Sequence, residues 1–184
     1  MSNITKIAMA QSLKRMLLIK DLDKITINDI TNDCGINRQT FYYHFKDIYD
    51  LLEWIFANEV VKKIEKETTI ENWQGNFKYV LDYMLENKKF IIKTYNSLSR
   101  KTLLDFLFNQ YNTIFIDIIN DVSKNYNITK ENKIFIANFY KYGFAGIIEN
   151  WIVTEMKESP ENIIKKLDIL ISGNFEEAVR KMSN

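Results

Sequence analysis

The stretch Thr26 to Phe45, TINDITNDCGINRQTFYYHF, decides the fold. Thr26 and Asp29 have the spacing of a capping box, in which a hydroxyl and a carboxylate each satisfy a backbone N–H left open at a helix start. Behind that cap Ile27, Ile30 and Thr31 recur at helical spacing, so a short helix is expected. Cys34-Gly35-Ile36 ends it: Gly35 supplies the backbone freedom of a sharp inter-helix turn, and Ile36 plugs the corner. Asn37 then caps a second helix beginning at Arg38. Its surface is unusual. Arg38, Gln39, Thr40, Tyr42, Tyr43 and His44 place hydrogen-bonding groups on most of it, which leaves Phe41 and Phe45, four residues apart, as the anchoring stripe.

Two short helices, a tight turn and a polar second helix form a helix-turn-helix whose chemistry suits the major groove of DNA. Arg38 can pair bidentately with guanine and Gln39 with adenine, each such contact giving about 1–3 kcal/mol of discrimination. A merely solvated helix accounts for the polar residues but not for the aromatic ones beside them.

The run Thr40-Phe41-Tyr42-Tyr43-His44-Phe45-Lys46-Asp47 resembles the close of the recognition helix in the TetR/AcrR family of bacterial transcription regulators, and the resemblance is strongest over residues 5 to 55. The string FYYHFKDIYDLL from Phe41 to Leu52, followed by Glu53-Trp54, is similar to the DhaS-like branch, regulators of dihydroxyacetone-kinase operons. The resemblance implies an all-α, TetR-like protein: a three-helix DNA-binding domain at 1–46 with its motif at 26–45, then a helical dimerisation and sensing domain at 47–184. Thr26, Thr40, Tyr43, His44 and Lys46 are implied to touch phosphates, with Tyr42 at the groove edge, so that they fix register rather than read bases. Three positions depart from the family pattern. Asp21 stands where Gly is common, Thr31 where Ala is common, and Ile48 replaces a Lys, which makes Lys46 the expected phosphate contact. His44 has no acid-base partner nearby in the sequence, so a hydrogen-bonding or packing role is expected of it rather than a catalytic one.

Composition is consistent with this reading. The 184 residues include five Gly and one Pro, which favours long helices, about nine in total from the periodicity, and no strands. Net charge is only +1, from 25 basic and 24 acidic residues, and does not by itself suggest a nucleic-acid binder. Its distribution says more: up to Lys46 seven Lys and Arg oppose four Asp, a net +3, and the remainder carries −2. One Cys excludes an internal disulfide, and one Cys with one His offers no metal cluster or acid-base set, so neither cofactor nor enzymatic activity is expected. Cys34 is expected to be a small, inert core residue rather than a redox sensor. No basic-then-apolar leader and no apolar run approaching the ~20 residues of a bilayer span occur, which points to a cytoplasmic protein without membrane association.

Outside the motif, the first helix is expected over 4–20, with Ile7, Ala10, Leu13 and Leu17 inward. Asp47 caps a helix over 47–67 that links sensing to reading. Further helices are expected over 72–87, 88–98, 103–122 and 132–157, and a last one opens at Ser159-Pro160-Glu161 and runs through Ile163, Leu167, Ile171 and Phe175. In the last two, Gly143 and Gly146 remove side chains on neighbouring turns, and the resemblance implies that Gly143, Gly146, Ile147, Trp151, Leu167, Leu170 and Ile171 form a four-helix interface in a homodimer on a palindromic operator. Internal core packing explains the same apolar residues. Phe77, Tyr83, Tyr95, Phe108, Tyr111, Phe115, Tyr140 and Phe144 would wall a pocket for an apolar small-molecule effector, or serve simply as core; the DhaS-like features favour a partner co-regulator protein instead. The competing function is a helical protein-interaction module that keeps the motif as a scaffold and does not itself read DNA.

Overall fold

The computed structural model describes residues 2–63, 68–97 and 99–183, and among them every regular element is helical. Their contacts divide into two compact units, one within Met1–Lys62 and Asn87–Phe106, the other within Lys63–Glu86 and Leu107–Asn184.

The first unit holds α1 (Ser2–Leu17), α2 (Ile27–Cys34), α3 (Arg38–His44), α4 (Ile48–Glu59), α6 (Lys88–Tyr95) and the start of α7 (Arg100–Val122). Packing therefore divides the chain differently from the expected boundary at 46/47. α1 packs on α2, α4 and α6, and Phe56 of α4 stacks on Phe106 at 5.0 Å and tilts against Phe90 at 5.6 Å. Three short helices have too little apolar surface to close a core by themselves, and α4 and α6 supply the missing side. From α1 the inward stripe is Met9, Ala10, Leu13 and Leu17; Ile7 is 38% exposed and does not join it. α1 stops at Leu17, and Leu18 and Ile19 in the following turn are exposed. Asp21, at φ −74°, is extended rather than left-handed, so the turn has no need of glycine there. Gly35, at φ +65°, does occupy the left-handed region that the α2–α3 corner demands.

α4 ends at Glu59 and a 3₁₀ turn follows over Val61–Lys63; the expected continuation through 64–67, like Leu98 of the expected 88–98 helix, lies outside the described residues.

The second unit contains α5 (Trp73–Glu86), the rest of α7, α8 (Lys130–Val153), α9 (Pro160–Ile171) and α10 (Asn174–Lys181). Its core is aromatic: Phe144 meets Phe115 at 4.8 Å, Phe77 at 4.9 Å, Trp73 at 5.9 Å and Tyr111 at 6.3 Å. Two expected helices are cut short. α8 ends at Val153 because Glu155 and Met156 turn left-handed, at φ 58° and 50°, which lets Met156 bury its side chain while its N–H donates to Trp151 O at 2.7 Å. The last expected helix is broken by Gly173, at φ +78°, so Phe175 belongs to a separate α10. Ser159 and Pro160 open α9 as expected, and Glu161 in its first turn pairs with Lys78 of α5 at 2.7 Å.

Candidate nucleic-acid interface

The helix-turn-helix is built by three caps and two buried rings. Thr26 Oγ1 accepts from Asp29 N–H at 3.1 Å while Thr26 N–H donates to Asp29 Oδ2 at 2.8 Å, closing the capping box of α2. Asn37 Oδ1 accepts from Thr40 N–H at 2.8 Å and from the Thr40 hydroxyl at 3.0 Å, and Asp47 Oδ1 accepts from Asp50 N–H at 2.9 Å. Phe41 and Phe45 are 0% and 2% exposed and anchor the underside of α3. Its outer side carries Arg38, Gln39, Tyr42 and Tyr43, all exposed, with Tyr43 82% in solvent and edge-on to half-buried His44 at 4.9 Å. Arg38 Nη2 donates to Tyr42 Oη at 3.0 Å. Thr26 and Lys46 are exposed at either end of the motif, and the Lys46 N–H donates to Asp50 Oδ2 at 2.8 Å.

Charge pairing sharpens the mild basicity of this segment. Lys20 lies 2.8 Å from Asp29, and with the Thr26 backbone and hydroxyl it holds that carboxyl down to about 2. Asp33 is lowered by Ser12 and then Arg15, and Asp21 by Lys93 and then Lys24. Lys14 is bound to Glu59 at 2.6 Å. Among the described residues this leaves Lys6, Arg38 and Lys46 without a carboxylate partner, and two of these bracket α3. Lys6 is the residue that reading the sequence misses: its ammonium sits 5.2 Å from the Phe45 ring and 5.9 Å from the Trp54 ring, tying the first turns of α1 to the α3–α4 corner. No local pattern links positions 6, 45 and 54; only the fold brings them together. Cys34 is half-buried, and burial, with Asp33 beside it, pushes its thiol up, which disfavours the reactive thiolate.

In the second unit the sequence candidates part company. Gly143, Gly146, Ile147 and Leu170 are exposed, but Trp151, Leu167 and Ile171 are 3%, 3% and 1% exposed and belong to the chain's own core. Trp151 Nε1 donates to Glu158 O at 2.8 Å. The pocket candidates do not share one wall. Tyr95 lies in the first unit, Phe108 meets the exposed Tyr142 ring at 5.6 Å, and Phe77, Tyr111, Phe115 and Phe144 pack on one another. Tyr83 is 7% exposed on α5, and Tyr140 leans on Phe175 at 4.4 Å. Instead, an apolar groove of about 370 Å³ runs between α8 and α9, lined by Phe139, Tyr140, Gly143, Ile147, Leu167 and Leu170 among others.

Residues 14–55 match the family described as bacterial regulatory proteins, tetR family, and residues 71–173 match the family described as transcriptional regulator C-terminal region. This chain belongs to the TetR family. It is a DNA-binding transcription regulator rather than an enzyme. It is 27% identical over 154 residues, 83% of this chain and 81% of the relative, to the HTH-type dhaKLM operon transcriptional activator DhaS of Lactococcus lactis subsp. lactis (strain IL1403). Among solved structures, the dihydroxyacetone kinase operon activator DhaS superposes with a TM-score of 0.72 at 24% identity, covering 98% of this chain and 99% of that one. Native NalD, the secondary repressor of the MexAB-OprM multidrug efflux pump in Pseudomonas aeruginosa, gives 0.53 at 12% identity, covering 93% and 96%. These two likenesses establish a shared TetR fold. The N-terminal match contains both helices of the motif and all three of its caps. Among the described residues no helix is long and apolar enough to cross a membrane.

Proposed function

We propose that this TetR-family regulator is a cytoplasmic homodimer that places α3 in the major groove of a two-fold operator. Arg38 and Gln39 read bases, while Thr26, Thr40, Tyr43, His44 and Lys46 hold the phosphate backbone, with Asn37 at the DNA-contacting start of the helix and Tyr42 at the groove edge. The carrying observation is the sidedness of α3: two buried phenylalanine rings beneath, and every long polar side chain outward with a capped N-terminus. The dimer reading is supported by the outer face of α8 and α9. Phe135, Phe139, Val153, Ile169 and Leu170 are between 59% and 70% exposed, and a Cβ added at Gly143 or Gly146 would meet no atom within 4 Å of the chain itself. The chain's own packing therefore does not require glycine at either position, and so large an apolar face suits a second copy. The resulting half-sites are spaced by at least one DNA turn, ~34 Å.

The relative's role in the dhaKLM operon supports a dihydroxyacetone-kinase operon as the regulated unit. Control comes from an effector acting on the second unit, either an apolar small molecule or a partner co-regulator.

Fluorescence anisotropy on the DNA upstream of the protein's own gene, against scrambled DNA across a salt series, tests the reading. Palindrome-dependent binding at two chains per site is expected; equally weak binding to both would favour the scaffold module, in which Arg38 and Gln39 substitutions are silent.

A further inference from the structure

We infer that Tyr42 is a positioning residue, whose hydroxyl holds the Arg38 guanidinium in its base-reading orientation and so sets specificity at one base pair of each half-site. The inference rests on α3 being the reading helix and goes beyond it, because it separates Tyr42 from the residues that merely grip phosphate.

The two residues are one helical turn apart on α3, where side chains meet. Arg38 Nη2 donates to Tyr42 Oη at 3.0 Å, and the guanidinium carbon lies 5.6 Å from the Tyr42 ring centroid, so the cation is held both by the hydroxyl and over the ring. The ring is itself fixed from below, packing edge-on against Phe41 at 5.8 Å and 88°, and Phe41 is completely buried. A rigid path thus runs from the core, through Phe41 and Tyr42, to the tip of Arg38.

Arginine is long and rich in rotamers, and its freedom must be surrendered when it docks on a base. Holding it beforehand moves that loss from the binding step to the folding step. Stoichiometry permits both contacts: a guanidinium has five N–H groups, one goes to the tyrosine, and reading guanine O6 and N7 takes two. No carboxylate pairs with Arg38 among the described residues, so the tyrosine hydroxyl is what orients it. Tyr43, more exposed, meets the His44 ring instead.

The test uses a duplex enriched from a randomised pool on the wild-type protein, then every single-base-pair variant of one half-site. Arg38→Ala is expected to remove discrimination at one base pair by about 5- to 150-fold. Tyr42→Phe, which keeps the ring at a half-exposed position and hence the fold, is expected to reduce discrimination at that same pair by about 2- to 10-fold. It should leave the other pairs and the salt slope unchanged, and have no further effect in an Arg38→Ala background. Uniform weakening on every duplex with a flatter salt slope would make Tyr42 a phosphate contact and overturn the proposal. Additive effects of the two substitutions, or a change at a different base pair, would overturn it as well. Failure of the underlying reading has its own signature: no sequence enriches, or Arg38→Ala changes no base pair.

Discussion

Arg38 and Lys46 stand at the two ends of α3 and are expected to act by different physics. A guanidinium reads the fixed donor and acceptor pattern of a base edge, whereas an ammonium just past the helix end neutralises a phosphate of any sequence. Arg38→Ala should relax base preference, and Lys46→Ala should weaken all duplexes about equally and reduce the salt slope by about one, both readable by anisotropy titration. Trp151 belongs to a different category. Apolar spacing alone allows it to be an interface anchor, but its indole N–H is bound to Glu158 O and its ring is buried in its own chain. Trp151→Ala should therefore cost about 3–5 kcal/mol in urea unfolding, through cavity formation and a carbonyl left unpaired.

At the scale of elements, short helices depend on their ends. α2 spans eight residues and α3 seven, too few to be stable alone, so their caps matter in proportion. Thr26→Ala should destabilise the first unit by about 1 kcal/mol in thermal or denaturant melts. Lys20, together with the same box, sets an acid limit. Asp29 titrates near 2 in the folded chain against an ordinary value of 3.8, so the folded state binds this proton less readily than the unfolded one. Its stabilisation is complete above the ordinary value and is lost as pH falls from about 4 toward 2. Asp29→Asn should lower stability at pH 7, where the carboxylate's contribution is complete, and flatten the pH dependence of unfolding between about 4 and 2, both measured by circular dichroism.

For the molecule as a whole, the outer face of α8 and α9 is an apolar surface that the described residues leave exposed. Ile147→Asp and Leu170→Glu fall at exposed positions, 38% and 60%, and should leave the helical content intact. They should convert a sedimenting dimer to a monomer and weaken operator binding far more than nonspecific binding, because one reading head holds a half-site without the second. A species that stays dimeric in both variants would place the interface elsewhere. The division of contacts also matters at this scale: α7 contributes Arg100–Phe106 to one unit and the rest of its length to the other.

The motif was legible in the residues because its determinants are local. A threonine three residues before an aspartate, a glycine at a corner, an asparagine before an arginine and two phenylalanines four apart each constrain the backbone within a few residues, and the caps at Thr26, Asn37, Asp47 and Ser159 all form as their spacing requires. Helix existence followed from periodicity in the same way. What sequence could not reveal is decided by contacts across the chain. Ile7 fits the inward stripe of α1 by spacing, yet stays 38% exposed, while Met9, which that spacing leaves out, is completely buried. Met156 ends α8 by accepting a left-handed backbone in return for burial, a trade that no local propensity encodes. Gly173 splits the last helix so that Phe175 can pack on Tyr140 and Phe115. Pairing removes most lysines of the reading head from the free positive charge, and Lys6 meets Phe45 and Trp54 only through the fold. Sequence alone determined which segments coil and which helix presents polar groups, since hydrogen bonds and caps act over one turn; tertiary structure decided which apolar and charged side chains are spent inside the chain, since burial and ion pairing depend on neighbours brought from far along it.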